Sequence, residues 1–587
     1  MVPDMESTTK TILAVATSVI VATGIAFVAT RSPTPPLCPE VVVMDARGEP
    51  RNAAGKIRFC WPGQRKCHCD RDRDCYALEG YVACTPRTSP APRVDAGRVD
   101  TGPRDTGVRD VPAPRDVVVQ RDTGTPPTDI GPTPIGVRAF PGAEGFGATA
   151  TGGRGGRVIY VTNLNVSGPG SFQDAVAQTG RRYVLFKVSG VIRTDIQVRH
   201  GDVTIAGQTS PGGITVQGFH TTEEPYCDQH CGSSAVGVQN FIVRHLRSRP
   251  STSAFPDGLR LRYARNGILD HLSIGNAQDE AVEISYTNGI TIQDSLLAET
   301  IGGHSTYGGM LINYTNPAAG YALDRLSVVR TVWNRIEGRM PEFSRESGTA
   351  AAGTTMNVEL VNNLIWDQRY FIDVNPTIIS GSNSGAYIFY NLNWVGNFAH
   401  ARPQNHFGLI WIQSSGGRTS AYFNDNRSQL WAGRQDWDLN YCCNDYQGEA
   451  NARPSWGRTT PHAFPTVNVM PSTSVRSYAA ANAGAFPRDP MDTRLMGFVS
   501  SGSLDSRPIN VNPVGDALFL VPNPSPVPAD GDNDGMPDAW ENIHGLNPTV
   551  QDHNGTTASR TVTGVEGYTN LECYLNDLAT RRTRGTP

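Results

Sequence analysis

The sequence carries no excess of charge of either sign. Its 51 lysines and arginines face 55 aspartates and glutamates, a net charge of −4, so the strongly basic surface that nucleic acid binding needs is missing. A phosphate loop is missing as well. The glycine run GAEGFGATATGGRGG is not followed by Gly-Lys-Ser or Gly-Lys-Thr, and these glycines read as turns. Large apolar residues are almost absent from residues 85–136, where Pro, Arg, Asp, Thr and Gly recur in runs such as APRVDAGRVDTGPRDTG. Such a stretch cannot bury enough surface to fold, and a partly extended linker is expected there.

At 587 residues the chain exceeds one ordinary core, and 61 glycines and 42 prolines point to a turn-rich β protein. Residues 11–30 (TILAVATSVIVATGIAFVAT) form an uncharged apolar run between Lys10 and Arg31. Segment 1–31 is therefore a signal peptide or a membrane anchor, with cleaved export the preferred reading. Six cysteines crowd into residues 32–84 (Cys38, Cys60, Cys67, Cys69, Cys75 and Cys84). Export and an even count favour disulfides over zinc held by Cys67-His68-Cys69. The protein is expected to be secreted or extracellular, a monomer, touching a membrane only through its N-terminal segment.

Beyond residue 136 a repeat emerges: FIVRHLRSR from Phe241, GILDHLSIG from Gly267, GITIQDSLLA from Gly289, LSVVRTVWN from Leu326, VELVNNLIW from Val358 and YIFYNLNWV from Tyr387. Each copy is an apolar strand, a polar corner and a second apolar strand, and successive copies lie 22 to 37 residues apart. That suits one coil of a solenoid whose units bury their apolar faces only by stacking. The corners lack the Asn-Gly or Asp-Gly of hairpins, so an all-β, right-handed parallel β-helix is expected over an antiparallel sandwich. Ser171-Phe172-Gln173-Asp174 opens a helix that could cover the first coil.

Several motifs occur in order: AFPGAEGFGATATGGRGG, GPGSFQDAV, VTIAGQTSPGG, RHLRSRP, LDHLSI and QDEAVEIS. Together they resemble the bacterial pectate lyase family, over residues 137–522. The resemblance implies cleavage of pectate (polygalacturonate) or a related acidic polysaccharide by β-elimination. Ca²⁺ would sit on the outer face of the helix, at Asp257 in FPDGLRLR and at Asp279 and Glu283 in QDEAVEI. On an extended strand Asp279, Ala281 and Glu283 would share one face, with Ala281 leaving room for the ion, and three hard carboxylates suit Ca²⁺. The family's catalytic arginine falls on Arg339. Arg345 resembles a second, substrate-binding arginine, one residue further along than usual, and His304 stands where some members carry a substrate-binding lysine. Phe255 replaces an aspartate that some relatives have, which bears on ion dependence.

Removing the C5 proton of a uronate beside its own carboxylate is costly, and a bound cation offsets the developing charge. A guanidinium is a poor base near neutral pH. Arg339 either takes the proton in neutral form or stays charged and stabilises the enediolate while another base acts. Asp270-His271, also part of the resemblance, reads as a structural hydrogen-bonded pair near the site. Cys227 and Cys231 suit a local disulfide. Trp431 and Trp437 could stack on sugar or pack internally.

In residues 523–587, Asp530, Asp532, Asp534, Met536 (through its carbonyl), Asp538 and Glu541 match an EF-hand-like calcium loop position by position. The short flanks suit a structural ion over a sensor. Three rivals stand beside the lyase reading: a non-catalytic glycan-binding or adhesive β-helix, a glycoside hydrolase on the same fold, and a calcium-free pectin lyase.

Overall fold

The computed structural model describes, in a first unit (Met1–Gly124), residues 43–44, 50–51, 73–78 and 81–86. In the second unit (Thr125–Pro587) it describes residues 137–221, 237–250, 256–300, 308–317, 320–336, 338–343, 353–368, 372–374, 389–401, 410–412, 419–441, 453, 456–507, 519–521 and 523–585. In the first unit Val43–Met44 pairs with Pro50–Arg51, and Arg73–Leu78 with Tyr81–Pro86, both antiparallel. The backbone register sets Cys75 opposite Cys84. The export segment, the linker, the side chains of the N-terminal cysteines, and Cys227, Cys231, Cys442 and Cys443 lie outside the described residues. Among the described residues no helix is long and apolar enough to cross a membrane.

In the second unit each repeat folds as two strands meeting at one left-handed residue. Val238–Arg244 turns at His245 into Leu246–Ser248, Ala264–Asp270 at His271 into Ser273–Gly275, and Asn288–Gln293 at Asp294 into Leu296–Ala298. These corners have φ of 53°, 53° and 49°, and Arg330, Asn362 and Asp425 repeat them at 50°, 54° and 56°. A left-handed non-glycine residue costs about 1–2 kcal/mol, and buried side-chain bonds just behind the corners help offset it. There Asn363 N–H donates to Asn397 Oδ1 (2.9 Å), Asn397 N–H donates to Asn426 Oδ1 (3.2 Å), and the side-chain amides bond along the same line at 3.0 and 2.8 Å.

A longer loop then leads to a third strand, as at Leu259–Arg262, Val282–Ser285 and Met310–Ile312. First strands stack into a ten-stranded parallel sheet. Second and third strands form two parallel stacks that diverge from the long strand Ile214–Thr221, whose first half pairs with Leu246–Ser248 and second half with Leu259–Arg262. The expected parallel β-helix is the fold. Its interior is filled by aliphatic side chains, with Trp333 and Trp394 wholly buried among them.

Both ends are covered. The helix Phe172–Ala177 is capped by Ser171, whose Oγ accepts from Asp174 N–H (3.2 Å), and sends Phe172, Ala175 and Val176 into the core. At the other end Trp437 stacks on Phe423 at 4.0 Å and meets Trp456 edge-on, so it is packing. Helices Ser472–Asn482 and Pro490–Ser501 lie on the outside of the second-strand stack, burying Val475, Ala479 and Leu495 against Leu296, Val332, Leu364 and Trp366. The terminal helix Asn570–Thr583, with a capping box between Thr569 and Glu572, packs with Met536 and Trp540 on Tyr183, Leu185 and Ala206 of the first coils.

Candidate active site

The loops between second and third strands lie over one another because the strands on either side are in parallel register. Gly258 N–H donates to Glu280 O (3.0 Å), Ala281 N–H to Gly308 O (2.6 Å), and Gly309 N–H to Gly338 O (3.1 Å). Four successive coils thereby carry Asp257, the pair Asp279 and Glu280, Gly308-Gly309, and Arg339 up one edge. Residues up to 82 positions apart in the sequence become neighbours.

Asp257, Asp279 and Glu280 each offer a carboxylate oxygen within 4.8 Å of the others. Asp257 and Glu280 are buried, and Asp279 is partly exposed. Asp257 Oδ1 accepts from Glu280 N–H (3.1 Å), and Oδ2 from Arg260 Nε (2.9 Å) and Nη2 (2.6 Å). Burial lifts the Asp257 carboxyl to about 6; Arg260 opposes the rise while Glu283 and Asp279 add to it. Arg339 pairs with Glu280, and its Nε lies 3.1 Å from Glu342 Oε2.

Glu283 is not in the group. Its oxygens are taken by Arg260 Nε (2.9 Å), Arg262 Nη2 (2.8 Å) and Ser285 Oγ (2.8 Å). The alternation expected for residues 279–283 fails because the strand begins only at Val282. Residue 279 sits in the turn before it, and Ala281 points into the core instead of leaving room outside. The turn brings Glu280 forward in place of Glu283. The sequence reading missed Glu280, although it stands beside Asp279 in the same motif, and missed Arg260, which ties Asp257 to Glu283. Arg345 and His304 lie outside the described residues.

Donor chemistry fits a hard cation. Three oxygen donors converge, one of them a buried carboxyl that resists ionising without a positive neighbour. Arg260 and Arg339 now provide the positive charge at this edge.

Asp270 and His271 meet as an ion-pair contact without the geometry of the expected hydrogen bond, and at a different corner of the coil, between first and second strands. Asp270 Oδ2 lies 2.9 Å from His271 Nδ1 and 2.7 Å from Arg244 Nε, and Oδ1 accepts from Gln293 Nε2 (2.8 Å). Burial alone would raise this carboxyl, yet His271 and Arg244 hold it well below the ordinary range. His271 stacks on His245 at 4.8 Å. The cavity of about 580 Å³ beside them, lined by Glu144, Arg330 and Tyr478 among others, does not include the Asp257 cluster.

In the tail, Asp530, Asp532 and Asp534 converge within 4.8 Å, and so do Asp534, Glu541 and Asp552. Met536 is buried, and its N–H donates to Asp534 Oδ1 (3.0 Å). Asp538 accepts from Gly531 N–H (2.7 Å) and is in neither group. Burial, with Asp534 and its acidic neighbours, pushes Glu541 up to about 8, and burial raises Asp534 to about 7. Asp552 lies beyond the loop motif, and nothing in that motif signals it.

No protein-family model matches the chain. Curated relatives do. The probable pectate lyase C of Aspergillus flavus is 31% identical over 461 residues, covering 75% of this chain and 94% of the relative. That of Emericella nidulans is 31% identical over 462 residues, covering 75% and 92%. These relatives are fungal, so the bacterial affiliation suggested by the motifs is not supported. Among solved structures, a Bacillus sp. N165 pectate lyase in complex with trigalacturonate aligns at 14% identity and a TM-score of 0.38, covering 58% of this chain and 98% of that one. The cedar pollen allergen Jun a 1 aligns at 14% and 0.40, covering 58% and 92%. On the strength of relatives matched almost end to end, the chain belongs to the pectate lyase family.

Proposed function

We propose that this pectate lyase cleaves 1,4-linked polygalacturonate by calcium-assisted β-elimination at the edge formed by Asp257, Asp279, Glu280 and Arg339. The observation that carries the reading is the convergence of three carboxylates and one arginine from three of four stacked loops, spread over 82 positions of sequence. Ca²⁺ held by Asp257, Asp279 and Glu280 would attract the substrate carboxylate and offset the charge that builds as C5 loses its proton.

Glu280 and Glu342 hold the Arg339 guanidinium at this edge. In the reaction Arg339 takes the C5 proton, or remains charged and stabilises the enediolate while another base takes it. The C5–H and C4–O bonds break, the C4–C5 double bond forms, and the leaving oxygen gains a proton from solvent. Arg345 is assigned to a substrate carboxylate and His304 to a sugar hydroxyl. Glu283, paired with Arg260 and Arg262, positions the arginine beside Asp257 and is a ligand only if those pairs open.

The tail loop at Asp530, Asp532, Asp534, Met536 and Glu541 is proposed to hold a second, structural Ca²⁺. Segment 1–31 directs export, residues 32–84 form a disulfide-stapled segment, and residues 85–136 tether the catalytic unit. The test is the ultraviolet absorbance of the unsaturated product as the enzyme meets polygalacturonate with calcium or with chelator. A calcium-dependent rise supports the reading. Cleavage that ignores chelator would refute the calcium step.

A further inference from the structure

The tail's acids do not form the helix–loop–helix that their spacing suggests. Residues 523–530, ahead of the loop, are not helical, so among the described residues no incoming helix adjoins the loop. Asp538, the ninth-position acid of the motif, spends its carboxylate on Gly531 N–H inside the loop. The missing donor comes from outside: Asp552 faces Asp534 and Glu541, its own N–H donating to Asp534 Oδ2 (3.1 Å) and its Oδ1 accepting from Asn570 Nδ2 of the terminal helix (3.2 Å).

An independent observation points to an ion. Glu541 is 0% exposed, and neither of its carboxylate oxygens has a hydrogen-bond partner. Asp532 Oδ2 is likewise buried without one. A buried carboxylate with no partner is among the costliest features a fold can carry. Lys187 Nζ is 3.6 Å from Asp530 and lies over the Tyr160 ring, so it serves the rim of the cluster. Five carboxylates with one such cation at their edge make a site for a hard divalent ion, and the several flexible oxygen donors suit Ca²⁺ better than the strict octahedron of Mg²⁺.

The loop and the terminal helix also grip the β-helix. Tyr160, on the first strand of the ten-stranded sheet, donates its hydroxyl to Asp530. Lys187 donates to Asn533 Oδ1 (3.0 Å), and Arg154 forms a buried ion pair with Glu572 of the terminal helix (2.8 Å). Resting on the reading of a calcium-bound tail, we infer that Asp530, Asp532, Asp534, Glu541 and Asp552, without Asp538, bind Ca²⁺. We further infer that this ion fastens the tail over the first coils of the β-helix.

The experiment uses the full chain and Ca²⁺ itself. Bound calcium is counted after equilibrium dialysis for the wild type, Asp552→Asn, Glu541→Gln, Asp538→Asn and Tyr160→Phe. Trypsin cutting at Arg560, Arg581 and Arg582 follows tail docking in each. Asp552→Asn and Glu541→Gln should each lose one ion per chain and expose the tail to trypsin. Asp538→Asn and Tyr160→Phe should keep the count, and Tyr160→Phe should be cut faster than wild type. Retained cleavage of polygalacturonate shows that the variants have folded. An unchanged count in Asp552→Asn, or loss of the ion in Asp538→Asn, overturns the ligand set. Loss of the ion without faster cutting overturns the fastening role. A wild type whose only calcium disappears with Asp257→Asn would overturn the tail-calcium reading itself.

Discussion

Replacing Arg260 by alanine should make the stability of the β-helix depend on calcium. Its guanidinium touches Asp257 at 2.6 and 2.9 Å and Glu283 at 2.9 Å, and all three residues are buried. Its removal leaves Glu283 with Arg262 but strips the Oδ2 bonds from Asp257, beside Asp279 and Glu280. Breaking a buried ion pair from one side costs about 3–5 kcal/mol, and that loss is expected in chelator. A cation bound only by the folded state returns RT ln(1 + [L]/Kd), about 2.7 kcal/mol at a hundredfold excess over Kd. Urea unfolding in chelator and in saturating calcium measures both values. Wild type gains a calcium term of its own at this site, a smaller one because Arg260 competes with the ion for Asp257 Oδ2, so each variant is compared against wild type in the same buffer. A variant as stable as wild type in chelator, or one equally destabilised with and without calcium, would refute the reasoning.

Glu280→Gln should weaken calcium binding and kcat/KM together, on the order of 10–100-fold. Glu283→Gln should chiefly lower stability, by freeing Arg260 and Arg262; titration calorimetry beside activity separates the two. Glu359, whose carboxyl burial raises to about 7 with Glu144 adding to the rise, accepts from Ser327 Oγ. The folded state thus holds this proton more tightly than the unfolded chain, so stability falls as pH climbs from about 4.5 to 7. Glu359→Gln should remove on the order of 2–3 kcal/mol of that fall, seen as an advantage over wild type that grows with pH and then levels off. Asn397→Ala orphans the buried N–H of Asn363, while Asn426 Oδ1 keeps the backbone N–H of residue 397, and should cost about 1–3 kcal/mol for the unsatisfied group in urea unfolding.

The solenoid was legible because its physics is local: an apolar pair of strands around a polar corner cannot be satisfied alone, and the stacking partner is the next copy. Single left-handed corners such as His245 and His271 explain why no hairpin signal was needed. The motif named Asp257 and Asp279, which do come together, and Glu283, which falls outside their group because strand alternation was extended into a turn that ends only at Val282. Helix Pro490–Ser501 went unread despite its Asp489 cap, Pro490 start and Gly502 stop. Its amphipathic face is set by the outer surface of the β-helix, which no local pattern encodes. Asp552 escaped for a similar reason: it reaches its site through tertiary folding, from beyond a motif that appears complete without it.

The most direct test of calcium-assisted elimination is the rate of unsaturated-uronide formation from polygalacturonate, measured for wild type and Arg339→Ala across a calcium titration. A calcium-dependent rate that falls at least about 100-fold in the variant, while calcium binding persists, is the predicted result. A wild-type rate indifferent to calcium, or an Arg339→Ala variant that keeps that rate, would contradict it.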